Sequence, residues 1–213
     1  MSAAPIAFGG FAARAASGDF WNTKQPSEWS GDEVAKLLND SPWAKEFLLQ
    51  LNNQAMLGHG GAYGRRNMGS GTTGPTGPNV QVKVLVRWES AKPVWEAKKL
   101  AAPKDAKDHY LVSLTGMPIS GPDPTDSGND EAEDRLKDQT TIERKGKEPI
   151  APDSVTSTEG PGFPSIVFAF PRDYQPIEPS EKELTFILKV GKSMELKAKF
   201  NIHDMMYRGD LAL

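Results

Sequence analysis

Hydrophobic and polar residues alternate most regularly near the end of the chain. Leu184, Phe186, Leu188 and Val190 fall on one side of an extended segment, and Met194, Leu196, Ala198, Phe200 and Ile202 resume the alternation after Gly191-Lys192-Ser193. Two successive runs of period two predict an antiparallel hairpin. Register selects its loop. A two-residue loop pairs Val190 with Ser193 and sets Leu188 against Glu195, apolar opposite charged. A three-residue loop pairs Val190 with Met194, Leu188 with Leu196 and Phe186 with Ala198, and places Lys189 across from Glu195 on the solvent side. The three-residue register is the prediction. Further on, a turn at Arg208-Gly209 lets Leu211 and Leu213 extend the alternation, which predicts that residues 208–213 are tied into the sheet.

The same period recurs upstream. Val82, Val84, Val86 and Trp88 share one side of a predicted strand, with Gln81, Lys83, Arg87 and Glu89 on the other. Tyr110, Val112 and Leu114 form a second strand, stopped by Gly116-Met117-Pro118. "SIVFAF", residues 165–170, is nearly all apolar and reads as a strand buried on both faces. The turn-rich "KGKEPIAP" leads into an edge strand around Val155.

Period 3.6 dominates nearer the start. In "WSGDEVAKLLNDSPWAKE", residues 29–46, Ser30 is an N-cap and Glu33 completes a capping box. Trp29 and Val34 take the staple positions around it, and Val34, Leu37 and Leu38 give the helix one buried face. Ser41 followed by Pro42 predicts a second N-terminus, with Trp43, Phe47, Leu48 and Leu51 at helical spacing. Ser90 is expected to cap a short helix through Pro93, Val94, Ala97 and Leu100. The acidic stretch from Ile119 to Glu133 reads as an exposed loop entering a helix near Leu136.

These elements predict an α+β fold: a mixed or mainly antiparallel sheet with short helices on one face and a capped helical segment before it. The glycine-rich run "GHGGAYGRRNMGSGTTGPTGP" divides the chain. The expected organisation is a flexible arm over 1–19, a helical segment docked on the sheet over 20–57, a Gly-rich linker or loop over 58–79, and the α+β domain over 80–213. Trp29, Trp43 and Trp88 are the expected structural anchors.

Composition narrows the function classes. With 213 residues, 38% hydrophobic and a net charge of −3, the chain has no global attraction for nucleic acid. Cysteine is absent, so disulfides, thiolate catalysis and cysteine metal sites are excluded. No apolar run approaches the length of a membrane-crossing helix, and no membrane span is expected. The first residues, "MSAAPIAFGGFAARAASGDFW", lack a basic segment followed by a continuous apolar one, so no signal peptide is visible.

Chemistry-bearing motifs are few. Gly191-Lys192-Ser193 resembles the end of a phosphate-binding loop, yet Phe186 stands where the upstream glycine belongs and the context is strand–turn–strand. "MGSGTTG" lacks the strand and helix that flank a serine nucleophile elbow. The three histidines, His59, His109 and His203, share no helix face and no metal-ligand spacing. His203 beside Asp204 is the one adjacent pair suggestive of acid–base work, but a strand-end histidine beside an aspartate is far more often surface or hydrogen-bonded structure, and that is the reading taken. The carboxylates from Asp123 to Asp134 lack the spacing of a calcium loop. Tyr63, Arg65 and Arg66 form a candidate interaction loop for RNA, a sugar or an anionic surface. The reading is therefore no catalytic residue, no metal site and no cofactor.

Three segments, "DFWNTKQPSEWSGDEVAKLLNDSPWAK", "VRWESAKPVWEAKK" and "KELTFILKV" with "MELKAKFNIHDMMYRGDLAL", together with Phe170-Pro171-Arg172, resemble uncharacterised predicted secreted proteins found mainly in Acidobacteria. The resemblance implies export, to the periplasm or the medium, and brings no reaction with it. The expected function is a non-catalytic extracytoplasmic interaction or structural protein, a component of a cell-envelope or extracellular assembly with protein partners. The alternative is a hydrolase or carbohydrate-acting enzyme whose carboxylates are brought together by the fold.

Overall fold

The computed structural model describes residues 20–51, 80–117, 130–158, 165–173, 175–190 and 194–213. The fold is α+β, and every strand pair described is antiparallel. In chain order the elements are α1 (Phe20–Thr23), a 3-10 turn (Pro26–Glu28), α2 (Gly31–Asn39), β1 (Ala44–Leu51) and β2 (Val80–Trp88). Next come α3 (Lys92–Ala97), a 3-10 turn (Lys104–Lys107), β3 (His109–Thr115), α4 (Asp130–Gln139), β4 (Thr140–Arg144), β5 (Ser154–Thr158) and β6 (Ser165–Pro171). The chain closes with β7 (Glu183–Val190), β8 (Met194–Asn201), a 3-10 turn (Ile202–Met205), β9 (Met206–Tyr207) and β10 (Asp210–Leu211).

The strands form two sheets and a separate ribbon. The larger sheet has the order β1-β2-β3-β6-β5, the smaller β4-β7-β8, and among the described residues β9 pairs with β10 alone. Alternation gives each sheet an apolar face that must be covered, and the two faces cover each other. Val84, Val86, Trp88, Tyr110, Val112, Leu114, Ile166, Phe168 and Phe170 of the larger sheet are buried with Ile142, Leu184, Phe186, Leu188, Leu196, Ala198 and Phe200 of the smaller. Aromatic edges join the layers. Phe186 meets Phe168 at 5.5 Å and Phe170 at 6.4 Å between ring centroids, and Trp88 meets Phe200 at 5.7 Å. Helix α4 buries Ala132 and Leu136, and its Glu133 accepts the Val155 N–H of the edge strand β5.

A second cluster gathers around Trp43. The capping box forms as predicted: Ser30 accepts the Glu33 N–H at 3.2 Å, and Glu33 accepts the Ser30 N–H at 2.9 Å. It aims α2 so that Leu37 is buried, with Trp29 buried at the staple position. Trp21 packs edge-on to Trp43 at 5.4 Å, and Tyr207 does so from the other end of the chain at 6.5 Å. The Trp43 indole N–H donates to the Ala212 carbonyl at 2.7 Å. Trp29, Trp43 and Trp88 are all core residues.

The final hairpin has the predicted register, with Val190 paired to Met194, Leu188 to Leu196 and Phe186 to Ala198. Lys189 stands opposite Glu195, but Glu195 forms its ion pair with Lys197 of its own strand, 2.9 Å away. The "SIVFAF" strand buries Ile166, Phe168 and Phe170 inward and Ala169 outward, while Val167 is half-buried.

Three expectations are corrected, and one strand, β4, was not foreseen. Residues 44–51 are a strand rather than the continuation of a helical segment. Ser41 donates to the Leu37 carbonyl at 2.7 Å and accepts the Trp43 N–H at 3.2 Å, so it closes α2 and turns the chain instead of starting a helix. Eight backbone pairs with β2 then override the helical spacing. Ser90 does not cap α3; its hydroxyl accepts the Leu111 N–H at 3.0 Å, and Leu100 is exposed. Strand β4 carries one aliphatic residue, Ile142, too few for alternation to reveal it. Residues 206–213 are anchored, but in a ribbon of their own. Arg208 at φ 53° and Gly209 at φ 95° make the tight turn between β9 and β10. The Ala212 N–H then donates to the Met205 carbonyl at 3.1 Å.

Residues of the expected arm over 1–19 and the Gly-rich segment over 58–79 lie outside those described. Gly116, where β3 was expected to stop, has φ +85°, and a Cβ there would lie 2.0 Å from the Lys83 carbonyl oxygen. Only glycine passes that point.

Trp43→Ala removes a fully buried side chain and strands the Ala212 carbonyl. It is expected to destabilise the protein by about 3–5 kcal/mol in chemical denaturation. An unchanged midpoint would contradict the placement of Trp43 in the core.

Candidate functional site

Alternation in β2 sends Val84, Val86 and Trp88 inward, so Arg87 points to the opposite side, where Glu89 of the following turn meets it. Arg87 reaches Glu89 Oε1 from Nε at 2.9 Å and from Nη2 at 2.8 Å, and Ser113 Oγ donates to the same oxygen at 2.7 Å. Lys98 binds Glu89 Oε2, and Arg87 Nη1 donates to the Leu38 carbonyl at 3.0 Å. Burial pushes the Glu89 carboxyl upward, but Arg87 and Lys98 outweigh it and hold the group below the ordinary glutamate range.

A second cluster closes the end of the smaller sheet. Arg144 shares the inward row of Ile142, and its side chain is 2% exposed. It reaches Glu181 Oε1 at 3.3 Å, Gln175 Oε1 at 2.6 Å and the Pro176 carbonyl at 3.3 Å. Lys147 joins Glu181 at 2.9 Å. Burial raises the Glu181 carboxyl, but the Lys147 and Glu178 N–H hydrogen bonds and the Arg144 charge bring it below its ordinary value. Both networks clamp connecting segments to strands, and both keep their carboxylates ionised.

The third feature is an open cleft of about 420 Å³. Helix α3 supplies Lys92 and Trp95, the Lys104–Lys107 turn supplies Ala106 and Lys107, and the segment after β6 supplies Arg172. The β9–β10 ribbon closes it with Tyr207, Arg208, Asp210 and the residues through Leu213. Tyr207 fixes the ribbon to α3 by donating its hydroxyl to Glu96 at 2.5 Å. Burial, then the Glu96 carboxylate, pushes that phenol well above its usual range. Arg172 lies 4.0 Å over the Tyr110 ring and donates to the His109 carbonyl at 3.1 Å and to the main-chain oxygen of the last residue, Leu213, at 2.5 Å. Burial draws its guanidinium below the usual value.

The residues singled out in the sequence do not meet in one place. Tyr63, Arg65, Arg66 and His59 lie outside the described residues, as do Asp123 to Asn129. Trp29, Trp43 and Trp88 are buried in the core. His109 Nε2 stands 2.9 Å from Asp153. His203 and Asp204 are exposed on the 3-10 turn and border a shallow groove with Trp21, Lys36 and Lys45. In α4, Lys137 holds Glu133 and Asp134 at 2.9 and 3.4 Å. Among the described residues no group of three or more His, Asp or Glu side chains is arranged to hold a metal ion. Sequence reasoning missed the cleft, whose cations come from four separate segments. Its only local signals were Phe170-Pro171-Arg172 and the Arg208-Gly209 turn.

No protein-family model matches the chain, and no curated protein and no solved structure matches it.

The depressed carboxyls of Glu89 and Glu181 predict a pH dependence of known sign. Each favours the folded state fully above the unfolded glutamate value of about 4.3. That contribution is lost as pH falls through the lower folded value. Urea midpoints should therefore be level near pH 6 and drop on acidification below about pH 4.3, and Glu89→Gln should reduce the slope. An undiminished slope in that variant would remove Glu89 from the account.

Proposed function

We propose that this chain is a non-catalytic interaction or structural protein working outside the cytoplasm, as a component of a cell-envelope or extracellular assembly. One observation carries the non-catalytic part. Glu89 and Glu181, the two least exposed carboxylates in the described ion pairs, belong to separate networks and are both held ionised. A glycosidase-type mechanism needs the reverse: two acids across one cleft, one with its pKa raised to donate a proton. Here the acids clamp loops to strands. The extracytoplasmic setting is supported by the resemblance of the "SPWAK" and "RWESA" blocks to secreted proteins.

Two measurements test the reading. Fractionation of native cells with an antibody to the chain should recover it from the periplasm or medium, and recovery in the cytoplasm alone would refute the location. Across a panel of aryl glycosides and esters, wild type, Glu89→Gln and Glu181→Gln should all be indistinguishable from buffer. Turnover that falls by about a hundredfold or more in either variant would instead establish the hydrolase.

A further inference from the structure

The two sheets have four edge strands among the described residues, and three of them are guarded. The β5 edge gives its Val155 N–H to Glu133 of α4. Strand β4 exchanges two main-chain hydrogen bonds with Ile150 across its open side, at 2.8 and 2.9 Å. Strand β8 exposes Glu195, Lys197 and Lys199 along its length, and charges of that kind discourage strand addition. Strand β1 has none of these devices. It has β2 as its one neighbour among the described residues. It contains no proline and no bulge, since its eight residues pair with β2 without a break. Its Leu48 is 62% exposed.

The ladder fixes which main-chain groups of β1 face out. The Trp88 N–H donates to the Trp43 carbonyl at 2.9 Å, while Ala44 exchanges both its groups with Ser41, at 3.0 and 3.2 Å. Odd-numbered residues therefore bond β2, and Glu46, Leu48 and Gln50 turn their N–H and C=O groups to the open side. A second copy related by a two-fold axis meets those groups with the same set. Two registers match the pleat. Centring the axis on Phe47 sets Glu46 against Leu48 of the partner subunit, charged opposite apolar. Centring it on Leu48 sets Leu48 against its own copy, Glu46 against Gln50 and Phe47 against Leu49. Each of the three outward residues then gives and accepts one hydrogen bond across the axis. Phe47 and Leu49, half-buried against the core in the single chain, gain cover from each other's copies. Glu46 is already held by Lys83 at 2.9 Å, and no like charges stand opposite. We propose that the chain forms a two-fold dimer by antiparallel pairing of β1 with β1 of a second copy, centred on Leu48, so that the two larger sheets become one. Such a dimer goes beyond the assembly role above and does not depend on it.

The test is the mass of the full chain in solution by sedimentation equilibrium. One strand pair is a small contact, so dimer should replace monomer over about 10–100 µM. Leu48→Lys puts two cations on the axis and should leave the chain monomeric over that range. Its melting temperature at low concentration should be unchanged, because the side chain it replaces is exposed. The chain holds no cysteine, so a thiol placed on the axis reports the register directly. Leu48→Cys should close an intersubunit disulfide under oxidised glutathione, since the paired Cα atoms lie about 5.5 Å apart. Lys83→Cys is also exposed. It stands three strand spacings, about 15 Å, from its own copy and should cross-link about tenfold more slowly or worse. A chain still monomeric at about 1 mM would overturn the proposal, as it would be if another of its own segments filled the edge. So would a dimer indifferent to Leu48→Lys, an open-ended polymer, or equal cross-linking of the two thiols.

Discussion

The contact between the two sheets is the constraint on which the other features rest. Each sheet alternates, so each has an apolar face that water penalises, and the two faces are buried against each other. Phe186 of the smaller sheet packs against both Phe168 and Phe170 of the larger, and Phe200 packs against Trp88. Edge-on aromatic pairs fill such a layer with large, stiff groups at favourable geometry. Strand pairing within each sheet sets where these rings stand along the chain. Stacking then sets which residues on the reverse sides remain available for polar work.

The reverse side and the ends of the sheets are where charge is placed. Arg87 and Glu89 follow from β2 parity, because residues inward at 84, 86 and 88 leave 87 outward. Arg144 is different. It occupies an inward row and is tolerated there because Glu181, Gln175 and backbone carbonyls surround the guanidinium. A buried guanidinium with half its partners removed would be strongly destabilising, so the 175–181 segment has little freedom to move away. These networks constrain loops, and the same satisfaction of their carboxylates makes them unsuitable as proton donors.

Trp43 links the beginning and end of the described chain. It takes Trp21 on one side and Tyr207 on the other, and its N–H holds the Ala212 carbonyl. Tyr207 in turn is bonded to Glu96 of α3. The cationic cleft is a consequence of this closure. Only when the β9–β10 ribbon is laid against α3 do Arg208, Lys92, Lys107 and Arg172 line one space.

What the sequence determined by itself is what short-range periodicity encodes. The capping box at Ser30 and Glu33, the strands through Trp88 and Leu114, the buried "SIVFAF" segment and the hairpin register all depend on neighbours a few residues apart, and all were legible. The strand at 44–51 was not. Phe47, Leu48 and Leu51 suit either period, and pairing with β2, fully tertiary, decided between them. Strand β4 escaped because its stability comes from β7 and from the Arg144 partners rather than from its own pattern. The division into two sheets, the choice of Trp43 as a hub and the assembly of the cleft were decided by long-range packing. Side chains from distant segments become neighbours only after two apolar faces have been brought together, and no local spacing records which faces those will be.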